Sequence, residues 1–364
     1  MKNTFGNSLS VTLFGESHGE MIGAVLDGIA PGIAVDEAAI AHRLSLRRPA
    51  GKISTARQES DPFRIVSGVF CGKTTGTPLT ILIPNENTNS KDYTATRSLA
   101  RPGHADYTAF CKYHGSEDYR GGGHFSGRLT APLVAVGAIL QEALKEKGIL
   151  IGTHISRCAQ VSDRPFNDYF ADIDYLNHRT FAALDEGAEQ KMIQAIENAA
   201  SEGDSVGGIL ETAVIGMPAG VGEPWFDSIE STLSHALFSI PAVKGVEFGS
   251  GFALADMTGS TANDPIAIEN RNIVTKTNHN GGINGGITNG MPILFRTVIK
   301  PTPSIFKEQN TVNFIEKESA TLSLGGRHDP AIVHRARAVQ DAVTAIALAD
   351  ALVLRYGTDY LTKD

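Results

Sequence analysis

The sequence predicts a mixed α/β (α+β) fold with a large sheet content. The chain has 364 residues, of which 41% are apolar, so it is long enough to bury a sizeable core. Strand-like and helix-like segments are interspersed from one end to the other, which is typical of mixed folds. Since the chain contains no low-complexity tract, short-period repeat or clear linker, we expect a single domain over residues 1–364.

Strands are predicted where short apolar or alternating runs are bounded by turn residues. These runs cover residues 9–14, 22–27, 64–70, 78–83, 208–216 and 292–299. Apolar residues at helical spacing predict helices at about residues 36–47, 187–201, 228–238 and 331–354.

A further helix is predicted directly after the glycine-rich segment 120–127. The apolar residues at helical spacing are Leu133, Val136, Leu140 and Leu144. Pro132 suits the first turn of this helix and Gly148 suits its end. Gly137, inside the run, disfavours the helix by about 1 kcal/mol relative to alanine.

Composition and charge limit the classes of partner. The formal charge is −8 and the sequence pI about 5.8, so nucleic acid and anionic membranes are not expected partners. Cys71, Cys111 and Cys158 lie far apart and form no CxxC pair, which favours a reducing, cytoplasmic setting and argues against a thiolate zinc site. The longest apolar stretch, residues 131–140, is too short to span a bilayer.

Glycine is concentrated in two segments, RGGGHFSG at 120–127 and NHNGGINGGITNG at 278–290. Such density lets backbone amides approach a ligand, although a flexible linker is the alternative interpretation. Because the first segment leads into a helix, it predicts an anion site. By contrast, SGVFCGKTTGT at 67–77 has one residue too few between its glycines for a nucleotide P-loop and precedes a strand, so it predicts a β-hairpin turn.

Basic residues stand beside glycine and proline turns in this acidic chain. Arg43 and Arg47 are four residues apart on a helical face away from Ile40 and Leu44, which by itself predicts a solvated basic face. Further basic residues next to turns are Arg48, Lys52, Arg101, Arg120, Arg128, Lys300 and Arg327. Since guanidinium groups bind phosphate and carboxylate bidentately, the set predicts a small ligand with several negative charges.

Three histidines lie in turn-like contexts with a carboxylate within two residues, where that carboxylate can tune the imidazole. They are His18 with Glu16, His104 with Asp106, and His328 with Asp329. No metal-binding pattern such as HExxH includes them, so they indicate proton transfer. A nucleophilic Ser17–His18 pair is disfavoured, because adjacent strand residues point to opposite faces and no GxSxG elbow is present.

Six segments together resemble the signature segments of the chorismate synthase family. In order along residues 15–336 they are GESHG, RPGHADY, DYRGGGHFSGR, NHNGGINGG, KPTPSI and GRHDPAIVHRA. The resemblance implies conversion of 5-enolpyruvylshikimate 3-phosphate to chorismate and phosphate, an anti-1,4-elimination that requires reduced FMN. It also implies a single β-α-β sandwich of two similar halves, assembled as a homotetramer. Members of some lineages reduce their own flavin with NADPH.

The resemblance also implies roles for individual residues. His18 would supply or hold a proton near the leaving phosphate, His104 would stabilise the reduced flavin anion, and Asp329 would help to take the proton from flavin N5. Glu16 would be a supporting partner of Ser17 and His18, without contacting the substrate itself. The implied substrate contacts are Ser17, Arg48, Arg101 and Arg128. The implied FMN contacts are His124, Phe125, Ser126, Ala242, Gly285, Lys300, Pro301, Thr302, Pro303, Ser304 and Arg327.

The chain departs from the common family pattern at three places. His124, Phe125 and Leu129 stand where arginine, serine and glutamate are usual. Pro241 replaces an asparagine, and Lys52 stands in a segment one residue shorter than usual, where an arginine is expected. Two alternatives therefore remain open: a different FMN-dependent enzyme acting on a phosphorylated carboxylate, and a non-enzymatic anion-binding module. The module would need the arginines but not His18, His104 and Asp329.

Overall fold

The computed structural model describes residues 2–49, 51–54, 60–86, 97–325 and 328–363. Its strands are β1 (Thr4–Phe5), β2 (Ser10–Gly15), β3 (Met21–Asp27), β4 (Arg64–Ser67), β5 (Val69–Phe70), β6 (Lys73–Thr74), β7 (Leu79–Pro84), β8 (Leu150–Cys158), β9 (Val161–Ser162), β10 (Gly208–Ile215), β11 (Val243–Phe248), β12 (Ile266–Glu269), β13 (Asn272–Thr275), β14 (Ile283–Asn284), β15 (Ile287–Thr288), β16 (Ile293–Ile299), β17 (Gln309–Asn313) and β18 (Glu318–Leu322). Its helices are α1 (Glu37–Arg47), α2 (Asp106–Tyr113), α3 (Thr130–Glu146), α4 (Tyr169–Asn177), α5 (Glu186–Ser201), α6 (Ile229–Leu237), α7 (Gly259–Ala262) and α8 (Val333–Tyr356).

Two five-stranded antiparallel sheets form the framework. The first has the order β1-β2-β3-β7-β4 and the second has the order β11-β16-β10-β8-β9. The chain order in the first half is β2, β3, α1, β4, β7, α3, and in the second half it is β8, β10, α6, β11, β16, α8. In each half the fourth strand pairs between the second and the third. The two halves therefore share one topology, as expected.

The long helices α3 and α8 lie between the sheets. Helix α3 packs against β3 and β7, α8 packs against β8 and β10, and the two helices pack against each other. A Cβ atom at Gly137 in α3 would lie only 2.4 Å from the Cβ of Ala342 in α8. The glycine that disfavours the helix in isolation therefore permits close helix packing. The result is a sheet–helix–sheet sandwich, which confirms the predicted fold class.

Every predicted strand and helix is present within a few residues of its expected bounds. The run at 64–70 is interrupted at Gly68, and β5 and β6 form the hairpin predicted for residues 67–77. The prediction omitted several elements, among them α2, α4, β11 and β8. In β8 the buried run contains the polar residues Thr153 and His154. Within the described part of the chain, no helix has the length and apolar character needed to cross a membrane.

Candidate active site

The turn after β2 brings Ser17 and His18 against the glycine-rich loop. Ser17 is fully buried, its Oγ lies 3.0 Å from Nδ1 of His18, and its backbone N–H donates to the carbonyl of Gly123 at 3.1 Å. A Cβ at Gly121, whose φ is +58°, would lie 2.2 Å from Cε1 of His18. Only glycine allows this approach. Because β2 ends at Gly15, the opposite-faces argument against a Ser17–His18 contact was wrong.

His104 faces the neighbouring glycine of the same loop. A Cβ at Gly122 would lie 3.5 Å from Cε1 and 3.7 Å from Nε2 of His104. Consecutive glycines thus border His18 on one side and His104 on the other. The structure therefore brings together two histidines that are far apart in sequence.

The orientation of His104 is fixed by Asp106, as the sequence predicted. Nδ1 of His104 lies 2.9 Å from Oδ1 of Asp106, which also accepts from the Arg101 side chain at 2.6 Å. Arg101 NH2 also lies 3.0 Å from Nδ1, but a guanidinium only donates, so a proton on Nδ1 that is donated to Asp106 satisfies all three groups. Burial raises the pKa of Asp106, yet hydrogen bonds from Arg101 and His104 hold it well below its usual range. This carboxylate is therefore ionised, and Nε2 of His104 is left facing the loop.

Glu16, expected to support the turn of His18, contributes its backbone and not its carboxylate. The Glu16 side chain is exposed, and its carbonyl accepts a hydrogen bond from Nδ2 of Asn85 at 2.9 Å. Asp118 is a carboxylate whose pKa is affected by the charge of His18. The hydrogen bond from Arg120 is the main cause that lowers the pKa of Asp118, and the charge of His18 lowers it further.

His328 and Asp329 have separate partners. Nε2 of His328 lies 3.2 Å from the carbonyl of Gly325, and burial, helped by the charge of Arg101, lowers the pKa of His328. Asp329 forms an ion pair with Arg335 at 2.7 Å. A neutral His328 is less suited to proton donation than the sequence suggested.

Buried arginines gather around one carboxylate beside the Ser17–His18 turn. Arg47 donates to Asp61 at 2.9 Å, Arg128 donates to its other oxygen, and Nε of Arg48 lies 3.9 Å away. Arg47 is only 3% exposed, so the prediction of a solvated basic face was wrong. Its neighbour on that face, Arg43, donates to Oδ1 of Asn177 at 2.9 Å.

Hydrogen bonds connect the arginine cluster around Asp61 to two of the catalytic candidates. These are His18 and Asp329, the partner of Arg335. Nε of Arg128 donates to Oδ1 of Asn85 at 3.1 Å, and Asn85 holds the turn that carries His18. On the other side, Nε of Arg335 donates to the carbonyl of Arg47 at 2.8 Å. Asn85, Asp61 and Arg335 were not predicted as site residues, because no local spacing reports contacts over such long sequence separations.

The segment expected to contact FMN lies beside His104. The ammonium of Lys300 donates to the carbonyl of Gly103, and the Lys300 backbone N–H donates to the carbonyl of Ala242 at 3.0 Å. The Thr302 hydroxyl is buried with no hydrogen-bond partner among the described residues. A buried hydroxyl without a partner among the described residues and a lysine at Gly103 are polar groups that could bind the phosphate or hydroxyl groups of FMN.

The structure describes all but one of the other residues expected to contact FMN. Nδ1 of His124 lies 2.8 Å from the carbonyl of Gly15, while the Phe125 ring packs edge-on against Tyr113. Ser126 accepts from the backbone of the next 3-10 turn and lies next to Gly122. Gly285 lies in the exposed β14–β15 turn with open space around its Cα. Arg327 lies outside the described residues.

The remaining groups at the site suit proton transfer and anion binding. Among the residues with described positions, no cluster of histidine, cysteine and carboxylate groups could hold a metal ion. Histidines that share one glycine loop beside buried arginines are typical of an enzyme for small anionic substrates, and comparison with known proteins identifies which enzyme family this is.

A family model described as chorismate synthase matches residues 9–353. The chorismate synthase of Pyrococcus abyssi is 47% identical over 350 residues, covering 96% of this chain and 97% of the relative. That of Chitinophaga pinensis is 46% identical over 362 residues and both full lengths. A crystal structure of chorismate synthase superposes with a TM-score of 0.76 at 29% identity, covering 98% of this chain and 95% of the other. The chain belongs to the chorismate synthase family, whose enzymes are lyases that catalyse the final step of the shikimate pathway.

Proposed function

We propose that this chain catalyses the anti-1,4-elimination of phosphate from 5-enolpyruvylshikimate 3-phosphate to give chorismate, with reduced FMN as cofactor. The observation that carries the proposal is that His18 and His104 lie against consecutive glycines of one loop, Gly121 and Gly122. Family membership supports the reaction, and the position of both histidines at this loop supports their assignment as its proton-transfer groups.

The arginines suit the charge of this substrate, which carries two carboxylates and a phosphate. Arg48 and Arg128 belong to the cluster around Asp61, and Arg101 lies beside His104. Ser17 is buried with its hydroxyl beside His18, so it orients that ring and offers a donor to the substrate. Together these groups bind and orient an anionic substrate and exclude water from it.

His18 is assigned the proton at the leaving phosphate. Its Nδ1 lies 3.0 Å from the Ser17 hydroxyl, which fixes the orientation of the ring beside the glycine loop. An imidazole in this position can neutralise charge as it develops on the phosphate oxygen. The Asp118 carboxylate interacts with this ring, since the charge of His18 contributes to the lowered pKa of Asp118.

His104 is assigned to the cofactor. Asp106 keeps the proton on Nδ1 of His104, and the ammonium of Lys300 donates to the carbonyl of Gly103, the residue before His104. Lys300 to Ser304, Ala242, Ser126 and His124 would hold FMN there, with the hydroxyl of Thr302 gaining a partner. Reduced FMN supplies the electron density that the loss of phosphate requires. Asp329 is assigned a proton-accepting role at its carboxylate, oriented by Arg335.

The family also suggests a single-domain subunit in a cytoplasmic homotetramer. Exposed apolar residues support self-association: Ile266, Ile268 and Ile273 on the β12–β13 hairpin are each at least 75% exposed, and Ile268 pairs with Ile273. Such a surface is unusual for a monomer. Sedimentation should give a mass four times that of the 38.7 kDa chain.

The enzyme is distinguished from an anion-binding module by testing turnover and binding separately. The natural protein, supplied with reduced FMN in the absence of oxygen, should release chorismate and phosphate in equal amounts. A variant with alanine at His18, His104 and Asp329 should retain substrate binding in calorimetry and lose turnover. A natural protein that binds the substrate and never releases phosphate would instead be a binding module.

A further inference from the structure

Asp61 is a buried carboxylate to which no role has yet been assigned. It is 2% exposed, and its Oδ2 and Oδ1 accept hydrogen bonds from Arg47 and Arg128 respectively. The carbonyl of the preceding residue, Ser60, accepts from Arg48. Two consecutive backbone positions therefore anchor three arginines.

Hydrogen bonds connect Asp61 both to the turn of His18 and to Arg335, the partner of Asp329. Through Arg128, it is connected to the turn that carries His18, and through Arg47 it is connected to Arg335. Its φ of +47° lies in the left-handed region, which aspartate adopts only occasionally. The chain is thus held in an uncommon conformation at the point where the arginines converge.

The charge of Asp61 is maintained by its partners. Burial raises the pKa of this carboxyl, but the charges and hydrogen bonds of Arg47 and Arg128 outweigh burial and lower it below its usual value. A carboxylate ionised at neutral pH also offsets the mutual repulsion of the three guanidinium groups. Since free arginine side chains have much rotamer freedom, a fixed anchor removes an ordering step from substrate binding.

We propose that Asp61 is a positioning residue, which holds the guanidinium groups of Arg48 and Arg128 in the orientation that binds the anionic substrate. The proposal rests on the proposed function, because that function assigns Arg48 and Arg128 to the substrate. Asp61 itself touches neither substrate nor cofactor.

The test compares Asp61→Asn with a matched control. Asp172 is also a buried carboxylate paired with an arginine, Arg164, at 2.6 Å, but it lies on α4 against the second sheet. In Asp61→Asn, we expect KM for the substrate to rise about tenfold or more while kcat falls less than about threefold, since binding energy common to ground and transition states is lost. In Asp172→Asn, KM should not change, although the melting temperature should fall.

Other outcomes overturn the proposal. An unchanged KM in folded Asp61→Asn would mean that Asp61 has only a structural role. A lower KM would mean that the carboxylate competes with the substrate for the arginines. Should Asp61→Asn fail to fold, Asp61→Glu decides: its retained charge in a shifted position should raise KM about two- to fivefold, and an unchanged KM would contradict positioning.

The same experiment separates this proposal from the proposed function. If the natural protein shows no turnover, the proposed function fails. Asp61 is then tested by calorimetry with 5-enolpyruvylshikimate 3-phosphate alone, where Asp61→Asn should bind about tenfold more weakly than the natural protein. Equal affinities would overturn the positioning role independently of catalysis.

Discussion

At the scale of single residues, each of the two histidines proposed for proton transfer has its Nδ1 held by a neighbouring side chain. Nδ1 of His18 contacts Ser17, and Nδ1 of His104 contacts Asp106. The Asp106 carboxylate only accepts, so it sets the tautomer of His104, whereas the Ser17 hydroxyl can donate or accept and sets only the orientation of the His18 ring. The supporting partners are a neutral hydroxyl and an ionised carboxylate, so the two rings are suited to different tasks.

Replacing either ring should reduce the reaction rate without unfolding the protein. We expect His18→Ala and His104→Ala each to lower kcat by about a hundredfold or more, the usual contribution of a positioned proton-transfer group. The exposed His178, whose Nδ1 contacts only a backbone carbonyl on α4, provides the control, and His178→Ala should keep the natural rate. Steady-state kinetics measure kcat, and melting curves show whether each variant is folded. Natural rates in both His18→Ala and His104→Ala would refute the assigned roles.

His124 stands where the family usually has arginine, which predicts pH-dependent flavin binding. An arginine is always charged, whereas an imidazole is charged only when protonated. FMN affinity measured from about pH 6 to 8.5 should weaken with rising pH in the natural protein and stay level in His124→Arg. The same profile in both proteins would exclude a charge-bearing contact from His124, whose Nδ1 already lies 2.8 Å from the carbonyl of Gly15.

Residues of the site were predictable where their partners are close in sequence. Asp106 is two residues from His104, so the turn alone indicated the pair. Asp61 is 14 residues from Arg47 and 67 from Arg128, and such contacts exist only after the sheets have formed. The burial of Arg47 was missed for the same reason, because its counter-charge lies outside its own helix.

At the scale of elements, the loop of residues 120–125 sets the separation of the two histidines. Gly121 and Gly122 both have positive φ, at +58° and +81°, so an alanine strains the backbone at either position. Only at Gly121 would the new methyl group overlap a histidine, at 2.2 Å from Cε1 of His18, because at Gly122 the nearest atom is 3.5 Å away.

Gly121→Ala should therefore lower kcat about a hundredfold, whereas Gly122→Ala should lower it less than about tenfold. Because the backbone strain is comparable, the difference between the variants isolates the contact with His18. Equal losses in both variants would show that strain alone, and not the position of the ring, controls the rate.

The helix pair α3–α8 depends on Gly137. Alanine would favour the helix by about 1 kcal/mol, but its methyl group would lie 2.4 Å from the Cβ of Ala342. Overpacking of about 1–3 kcal/mol outweighs that gain, so thermal melting of Gly137→Ala should occur at a lower temperature. Gly259→Ala in α7, where the new Cβ meets open space, is the control, and a higher melting temperature for Gly137→Ala would contradict close packing.

Elements with a clear apolar period were predicted, whereas β8, whose buried run contains two polar residues, was not. In β8, Thr153 and His154 are buried because Thr153 bonds to Asp341 and His154 lies between Asp163 and Glu211. These partners come from other parts of the chain. A pattern of hydrophobicity alone therefore cannot identify this central strand.

At the scale of the whole molecule, both halves of the sandwich contribute to the site. Ser17, His18, Arg48 and Arg128 come from the first half, whereas Lys300 and Asp329 come from the second. The fold class was predicted from composition and pattern, and the sandwich of two similar halves from the family resemblance, but the order of strands in the sheets was not predicted. The pairing of β3 with β7 joins strands more than fifty residues apart, which no local signal reports.

The central claim is that the chain eliminates phosphate from its substrate only with reduced flavin. The most direct measurement is phosphate release from 5-enolpyruvylshikimate 3-phosphate by the purified protein, kept anaerobic, with FMN reduced by dithionite. Parallel reactions contain oxidised FMN or no flavin. The account predicts phosphate and chorismate in equal amounts with reduced FMN and none in the other reactions, because only reduced flavin has the electron density to assist the elimination. Phosphate release at the same rate in air, without flavin or reductant, would contradict it.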